Sequence, residues 1–450
     1  MALSNPLGQH YTIQQVLLDV SRGTGTSNSL DTIDISALVE EITITEAAFR
    51  PYIVGQILIV DQNDMLRAVH MRGSERVTIT LAPAQGNQIP NITRTFIMRG
   101  LNSKVRNDVF VYDLVEEVGY AASAKAFAKS YTGRLESIIK KILEGKLNRQ
   151  MTVLYPGDNY ITPARTGVTH VNIPYMTPWE ALSWLTDRMT GQTGAPWFLS
   201  GSLYTNTTNL WSMEECLASV PFNIEQVFIQ SERYTQATQS SEVEASVLAD
   251  TAIIAHKETN TESMHHLERS HSIAGQYDLI DTDTNQVNQL DYDLATTLFK
   301  LESGNFIDQQ DILDPTMVIN DQAMAFTPST LMSQATSGNT YLLGQSYADD
   351  VTAADTQNKI SNKMLKNVMM QKSLTVAIPG KLFAAYKATV GRKVRMHFES
   401  GDRVGIDQKF SLDKKLSGDY VMTGIRHVFS GTTYTVSIDG VKLHRSANEQ

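Results

Sequence analysis

The chain has 450 residues, so at roughly 150 residues per domain about three domains are expected, and a mini-protein or a single disulfide-stapled module is excluded. Hydrophobic residues make up 42% and charged residues 19%, far from the apolar-poor, charge-rich composition that leaves chains disordered. The 38 Lys and Arg against 48 Asp and Glu give a formal charge of -10, which leaves no excess of cations to neutralise phosphates and argues against a dedicated nucleic-acid binder.

The opening residues, Met1 to Val20, have no basic stretch leading into an apolar run of signal length. Nowhere do about 18 apolar residues run together, so neither classical secretion nor a membrane-spanning segment is expected. Ser21–Ser29 is Gly-rich but lacks the Lys-Ser/Thr ending and the preceding strand of a phosphate loop, and reads as a surface loop. Through the rest of the first third the hydrophobic period is two. Ile42 and Ile44 interleave with Thr43 and Thr45 within Leu38–Thr45, Gly55–Val60 is more continuously apolar, and Val77, Ile79 and Leu81 alternate with Thr78 and Thr80. Alternation puts every second side chain on one face of a sheet, and short strands at close spacing suggest a sandwich or barrel.

From about residue 120 the period becomes helical. Leu135, Ile138, Ile139, Ile142 and Leu143 form one apolar stripe that ends near Gly145. A second helix starts at Thr177-Pro178-Trp179-Glu180, where Thr and Glu can cap reciprocally and Pro suits the first turn; Leu182, Leu185 and Met189 form its buried side. Trp179, Trp184, Trp197, Phe198, Tyr204 and Trp211 crowd this region, as apolar core or, alternatively, as a sugar-stacking platform. Residues 256 to 355 are polar and turn-rich, with a linker over Ser329–Asp355, and predict loops and short strands. A third helix is expected over Thr356–Met370, with Ile360, Met364, Leu365, Val368 and Met369 on one side. The chain then returns to strands over Leu374–Gly380. Val394, Met396 and Phe398 alternate with Arg395 and His397, Val421, Thr423 and Ile425 with Met422 and Gly424, and Tyr434, Val436 and Ile438 complete the set.

One internal echo crosses the chain. Phe96-Ile-Met-Arg-Gly-Leu101 matches Tyr420-Val-Met-Thr-Gly-Ile425 in character at every position, and each is followed by a polar turn and a period-two strand, Val109–Val115 and Thr433–Ile438. Two ordinary hairpins could coincide in this way; the other reading is two related β-domains near the two ends.

Chemistry-bearing patterns are missing. Glu40-Glu41 and Glu214-Glu215 are the nearest to a carboxylate pair, and neighbours on a strand point to opposite faces. His265, His266 and His271 match no metal-ligand spacing. Asp281-Thr-Asp283-Thr-Asn285 starts like a calcium loop but has Gln286 where Gly and Tyr292 where Glu is required. Cys216 is the only cysteine, so no internal disulfide or thiolate metal site can form and assembly in a reducing cytoplasm fits; the acids before it raise its pKa rather than activate it. No catalytic, cofactor-binding or metal-binding residue is assigned, and no enzymatic activity is expected.

The closing segment combines Ile378-Pro-Gly380, Val390-Gly391 through Phe398, Leu416-Ser-Gly-Asp-Tyr420 through His427-Val-Phe, and Tyr434-Thr-Val-Ser-Ile438. It resembles the end of baseplate hub proteins of contractile phage tails. Leu38–Ile44, Phe49-Arg-Pro, Gly55–Asp61 and Gly73–Ile79 are similar to the first barrel of those hubs, Ile173-Pro174 with Thr177–Leu185 to their helix, and Gly275-Gln-Tyr277-Asp278 to a segment of their inserted domain. The resemblance runs from about residue 35 to 440, with nothing matched in the first 30 residues or over about 300–355.

It implies an α+β chain, mainly β, with two tube-type antiparallel β-barrel domains and two smaller α/β insert domains. The first barrel would occupy 1–120, an α/β domain 121–220 with helices near 132–145 and 177–190, the second barrel 221–255 and 371–446, and an inserted domain 256–370 with a helix near 356–370. It further implies a homotrimer whose six barrels imitate sixfold symmetry, joining a hexameric tail tube to a trimeric central spike among other baseplate proteins, with DNA passing through a channel without specific binding. Such a protein is assembled in the host cytoplasm and resides in the tail of the virion. A hub of a pyocin-like or type VI secretion particle is the alternative with the same fold, and a tail-associated cell-wall hydrolase the one with another.

Overall fold

The computed structural model describes residues 11–21, 30–61, 73–83, 91–104, 108–154, 169–187, 189, 195–230, 250–260, 274–281, 286–293, 318–319, 322–323, 331–336, 365–366, 372–399, 412–413, 416–431 and 433–442. Period-two segments become strands: β1 (Tyr11–Ser21), β2 (Leu30–Asp34), β3 (Val39–Ala47), β4 (Val54–Val60), β5 (Glu75–Pro83), β6 (Ile92–Lys104) and β7 (Val109–Glu116). The alternation is literal, since Ile42, Ile44, Val77 and Ile79 are all fully buried while Thr43, Thr45, Thr78 and Thr80 keep some exposure.

A mixed region follows, with α1 (Glu117–Ala124), β8 (Phe127–Gly133), α2 (Leu135–Leu147), β9 (Gln150–Val153), β10 (Thr169–Met176), α3 (Pro178–Thr186), β11 (Trp197–Gly201), β12 (Thr207–Ser212) and α4 (Met213–Ala218). Helix α2 buries Ile138, Ile139, Ile142 and Leu143 as its stripe requires. It begins later than residue 132, because β8 occupies that stretch, and passes Gly145 to end at Asn148, whose left-handed conformation (φ 49°) closes it. At the start of α3, Thr177 Oγ1 accepts from the Glu180 N–H at 3.3 Å and the Glu180 carboxylate accepts from the Thr177 N–H at 2.7 Å, so the capping box forms as read. The helix stops at Thr186, short of residue 190.

The remaining strands are β13 (Phe228–Gln230), β14 (Ala255–Asn260), β15 (Ala274–Asp281), β16 (Gln286–Asp293), β17 (Val318–Ile319), β18 (Gln322–Ala323), β19 (Leu331–Thr336) and β20 (Lys372–Pro379), then, after helix α5 (Lys381–Tyr386), β21 (Lys393–Phe398), β22 (Gly418–Ser430) and β23 (Thr433–Val441). The third expected helix lies outside the described residues except Leu365 and Lys366, which are helical.

The described part is mainly β and mostly antiparallel. Thirteen strands form one sheet in the order β14-β20-β23-β22-β3-β4-β7-β6-β5-β1-β2, with β21 on β22 and β13 on β21. Strand β14 belongs to this sheet by pairing with β20, so the sheet keeps the chain through Asn260, beyond the boundary expected after residue 255. One apolar core spans both ends of the chain and takes in Phe198, Trp211 and Cys216; a second lies among α2, α3, β8 and β10. Strand β11 separates the two. Trp197 and Leu199 enter the second core and Phe198 the first, which explains why the strand is buried on both faces.

The mixed region is tied to the main sheet by a buried ion pair. Arg149, just past α2, donates to Glu116 Oε1 at 2.9 Å and to the Thr207 carbonyl at 3.1 Å, and Glu116 Oε2 accepts from the Ile53 N–H at 3.1 Å. Each charge is thereby both paired and hydrogen-bonded, the condition for holding it out of water.

Candidate functional site

The two echoed segments form hairpins with one register. In β6–β7, Phe96 faces Glu116, Ile97 faces Val115 and Met98 faces Leu114, after which the pairing skips a residue and Gly100 faces Asp113. In β22–β23, Val421 faces Val441 and Met422 faces Gly440, after which the pairing skips a residue and Gly424 faces Asp439. The same bulge therefore sits at the same Met-x-Gly. It also corrects the expected alternation: Val421, Met422 and Ile425 are all buried because the extra residue turns the strand, just as Phe96, Ile97 and Met98 are buried together before Arg99.

The correspondence spreads to the flanking strands. Gly55 of β4 pairs with Leu114 and Leu374 of β20 with Gly440; one residue on, Gln56 donates to Asp113 at 3.1 Å and Thr375 to Asp439 at 2.7 Å. Val77 of β5 faces Phe96 as Val394 of β21 faces Tyr420. Strand β3 lies outside β4 as β14 lies outside β20. Two sets of five strands, β3-β4-β7-β6-β5 and β14-β20-β23-β22-β21, thus share order and direction, and share register around the common bulge; the shifts between Leu101 and Ser103 and between Val39 and Glu41 belong to the first set alone. Where they continue they differ: β1 adds antiparallel to β5, whereas β13 adds parallel to β21.

The sets are joined at a seam. Beyond its bulge, β22 leaves β21 and pairs antiparallel with β3, from Gly424 opposite Ala47 to Ser430 opposite Glu41. A buried polar cluster lies there. Glu46 of β3 accepts from the N–H of Leu203 at 2.6 Å and of Val390 at 3.3 Å, and its Oε1 is 3.4 Å from Nε2 of His427 on β22. His427 Nδ1 is 2.8 Å from the Tyr434 hydroxyl, which is 2.5 Å from that of Tyr204. Glu46, His427 and Tyr434 have no exposed surface, so no substrate reaches them; the cluster locks strands of both sets to the loop before β12. Burial holds the Tyr434 and Tyr204 phenols well above their ordinary value, with the adjacent Tyr434 adding to the effect on Tyr204.

No motif marks this cluster, although the sequence carries a signal for it. Glu46 continues the inward series Ile42, Ile44, and His427 sits between inward Ile425 and Phe429. A polar residue in a core-facing position is the informative exception to alternation.

Glu40 is the extra residue of a bulge and is exposed, while Glu41 accepts from Thr43 at 3.2 Å; the two do not converge. Glu214 and Glu215 lie on α4, where Ser212 caps the Glu215 N–H at 3.1 Å and burial raises the Glu215 carboxyl. Cys216 is buried in the main core. Trp197, Phe198 and Trp211 are buried, Phe198 and Trp211 stacked at 4.4 Å, so these three offer no sugar platform. His265, His266, His271 and the interior of Asp281–Asn285 lie outside the described residues, with Asp281 and Gln286 paired at the ends of β15 and β16. Among the described residues no cluster of His, Cys, Asp and Glu could hold a metal ion, and no helix is long and apolar enough to cross a membrane. An open cleft of about 590 Å³ on β8 and α2 is lined by Lys129, Ser130, Tyr131, Thr132, Lys141, Gly145 and Lys146.

No protein-family model matches the chain, and no curated protein matches it. Solved structures similar to it include a tail protein from Neisseria meningitidis MC58, at 11% identity over 96% of each chain with a TM-score of 0.47. The 43 kDa tail protein of prophage MuSo2 from Shewanella oneidensis is similar at 8% identity, covering 95% of this chain and 98% of that one, TM-score 0.47. A PdpA–VgrG complex from Francisella is similar at 9% identity over 98% of this chain and 54% of that one, TM-score 0.43.

Proposed function

We propose that the chain is a structural, non-enzymatic hub of a contractile-tail baseplate, in which the two strand sets are two tube-type barrels and three chains make a ring with pseudo-sixfold symmetry. The observation that carries this reading is the duplicated register: one chain holds two copies of the same five-strand unit, bulge included, fused edge to edge. A trimer of such a chain presents six similar units to a hexameric tail tube while keeping true threefold symmetry for a trimeric spike. Contacts between unlike units in successive chains are heterologous, and they close into a ring when the rotation per unit is one sixth of a turn. The mixed region held by Arg149–Glu116 and the segment carrying β15–β19 are the two inserts, displayed on this ring. The formal charge of -10 suits a bore through which DNA passes without being gripped. The place of action is the virion tail, after assembly in the host cytoplasm.

Native mass measurement on the purified protein, alone and with a trimeric spike protein and a tail-tube protein, tests the reading. Three copies per particle and capture of both partners are expected. A particle that stays monomeric with both partners present overturns it.

A further inference from the structure

The mixed region concentrates positive charge. From Lys125 to Arg149 seven Lys and Arg stand against two acids, Glu136 and Glu144, in a chain whose formal charge is -10. Arg149 is taken up by Glu116, and the two acids pair away from the cleft on β8 and α2, Glu136 at 4.0 Å from Arg134 and Glu144 at 3.9 Å from Lys140. Lys129, Lys141 and Lys146 instead line that cleft, and none of the described residues lining it is acidic. Two rings and a carbonyl hold their heads. Lys129 Nζ lies 5.2 Å from the centre of the Tyr131 ring, Lys146 Nζ lies 5.1 Å from that of Phe127, and Lys141 Nζ donates to the Thr132 carbonyl at 3.4 Å. Such contacts position an ammonium without cancelling its charge. A glycine keeps the wall of the cleft low. Lys141 and Gly145, four residues apart, share a flank of α2. Gly145 has no left-handed backbone and a Cβ there would meet nothing within 4 Å, so neither conformation nor packing requires a glycine. A glycine inside a helix destabilises it relative to alanine, and here the fold gains nothing in exchange.

We infer that this cleft binds a phosphate monoester or pyrophosphate group carried on a small molecule or a lipid headgroup, with Lys129, Lys141 and Lys146 as its cationic contacts. Lysine offers donors only, and Ser130 and Tyr131 add hydroxyls to the lining. Burial raises the Tyr131 hydroxyl above its ordinary value, so at neutral pH it keeps its proton and can donate. A lining rich in donors and cations selects an oxyanion. The described lining has no arginine fork for planar, bidentate recognition. Three point charges from a strand and a helix suit a group that accepts from several directions, as a tetrahedral phosphate does better than a planar carboxylate. The cleft, at about 590 Å³, falls within the roughly 300–1,000 Å³ of small-ligand sites and leaves room for the group that bears the phosphate. The site needs only β8 and α2, so it stands or falls apart from the ring.

Calorimetric titration of the full chain with sodium pyrophosphate at fixed ionic strength tests the site. One pyrophosphate per chain is expected, with binding weakened about tenfold by Lys141→Gln, the loss of one charge-assisted contact. Gly145→Leu changes no charge but fills the open wall; it should weaken binding at least as much while leaving the thermal midpoint unchanged or raised. Lys140→Gln, which removes an ammonium paired with Glu144 outside the cleft, should bind as the wild type does. Flotation with vesicles of phosphatidic acid in phosphatidylcholine, against phosphatidylcholine alone, separates the two sources of the phosphate. Retention on the anionic vesicles only, lost in Lys141→Gln, assigns a lipid headgroup, and pyrophosphate binding without retention assigns a soluble phosphate ester. Absence of saturable pyrophosphate binding overturns the proposal. So does binding that falls equally in Lys140→Gln and Lys141→Gln, the mark of diffuse attraction to a basic surface. Tighter binding of poly-glutamate or of a single-stranded DNA oligonucleotide through the same lysines gives the cleft to an acidic peptide or a nucleic acid and overturns it too. Should Gly145→Leu lose its helical circular dichroism, the two lysine variants decide the matter.

Discussion

Replacing Glu46 by Ala tests whether the seam is held by its buried polar cluster. The carboxylate has no exposed surface and accepts from Leu203 N–H at 2.6 Å and Val390 N–H at 3.3 Å. Removing it leaves two buried donors without acceptors, each costing about 1–3 kcal/mol. The longer contact belongs at the low end of that range, so the loss is roughly 3–4 kcal/mol, before any effect on His427. The assay is urea unfolding followed by tryptophan fluorescence, with Glu40→Ala as control because Glu40 is exposed on the same strand. The control should stay within about 0.5 kcal/mol of the wild type, as surface substitutions do. A Glu46→Ala protein equal in stability to the control refutes the reasoning.

Other outcomes follow from the same packing. Phe96→Asp and Tyr420→Asp each place an unpaired charge at an equivalent buried position, and both should unfold or fail to assemble, read by solubility and native mass. Arg149→Met should cost about 3–5 kcal/mol in denaturant titration by stranding the buried Glu116 carboxylate, and Glu116→Gln added to it should restore part of the loss. Gly380→Ala puts a Cβ 2.2 Å from the Tyr434 ring and should cost at least about 1–3 kcal/mol in the same titration. In alkali the sign is fixed by the tyrosines. Burial raises Tyr204 and Tyr434 well above 10.0 and Tyr11 to about 12, so the folded state keeps protons the unfolded state releases. Stability is full below pH 10 and falls as pH rises toward the folded values; tyrosinate absorbance should appear together with unfolding rather than before it.

Much of this fold is legible in sequence because it is local. The alternation of Ile42 and Ile44 with threonines, the Thr177–Glu180 box and the stripe of α2 each report a period or a cap that neighbouring residues alone determine. Pairing is not local. That β22 splits between β21 and β3 depends on residues almost 400 positions apart, and no local pattern encodes it. Strand β14 opens the stretch read as loops and short strands, and no period picks it out because Ala-His-Lys-Glu-Thr-Asn has no apolar face, the composition of an edge rather than of a covered strand. The Met-x-Gly echo was visible as a likeness, but only the skipped pairs at Gly100 and Gly424 turn it into a shared bulge. No motif marks Glu46 and His427, a buried polar pair that joins two strand sets of one sheet.

The most direct test of duplication as the basis of the protein's role is an averaged electron-microscopy view of the purified assembly along its axis. Six similar lobes in a threefold ring, alternating between two kinds, are predicted. A two-lobed particle of a single chain, or a dimer related by a twofold axis, would contradict it.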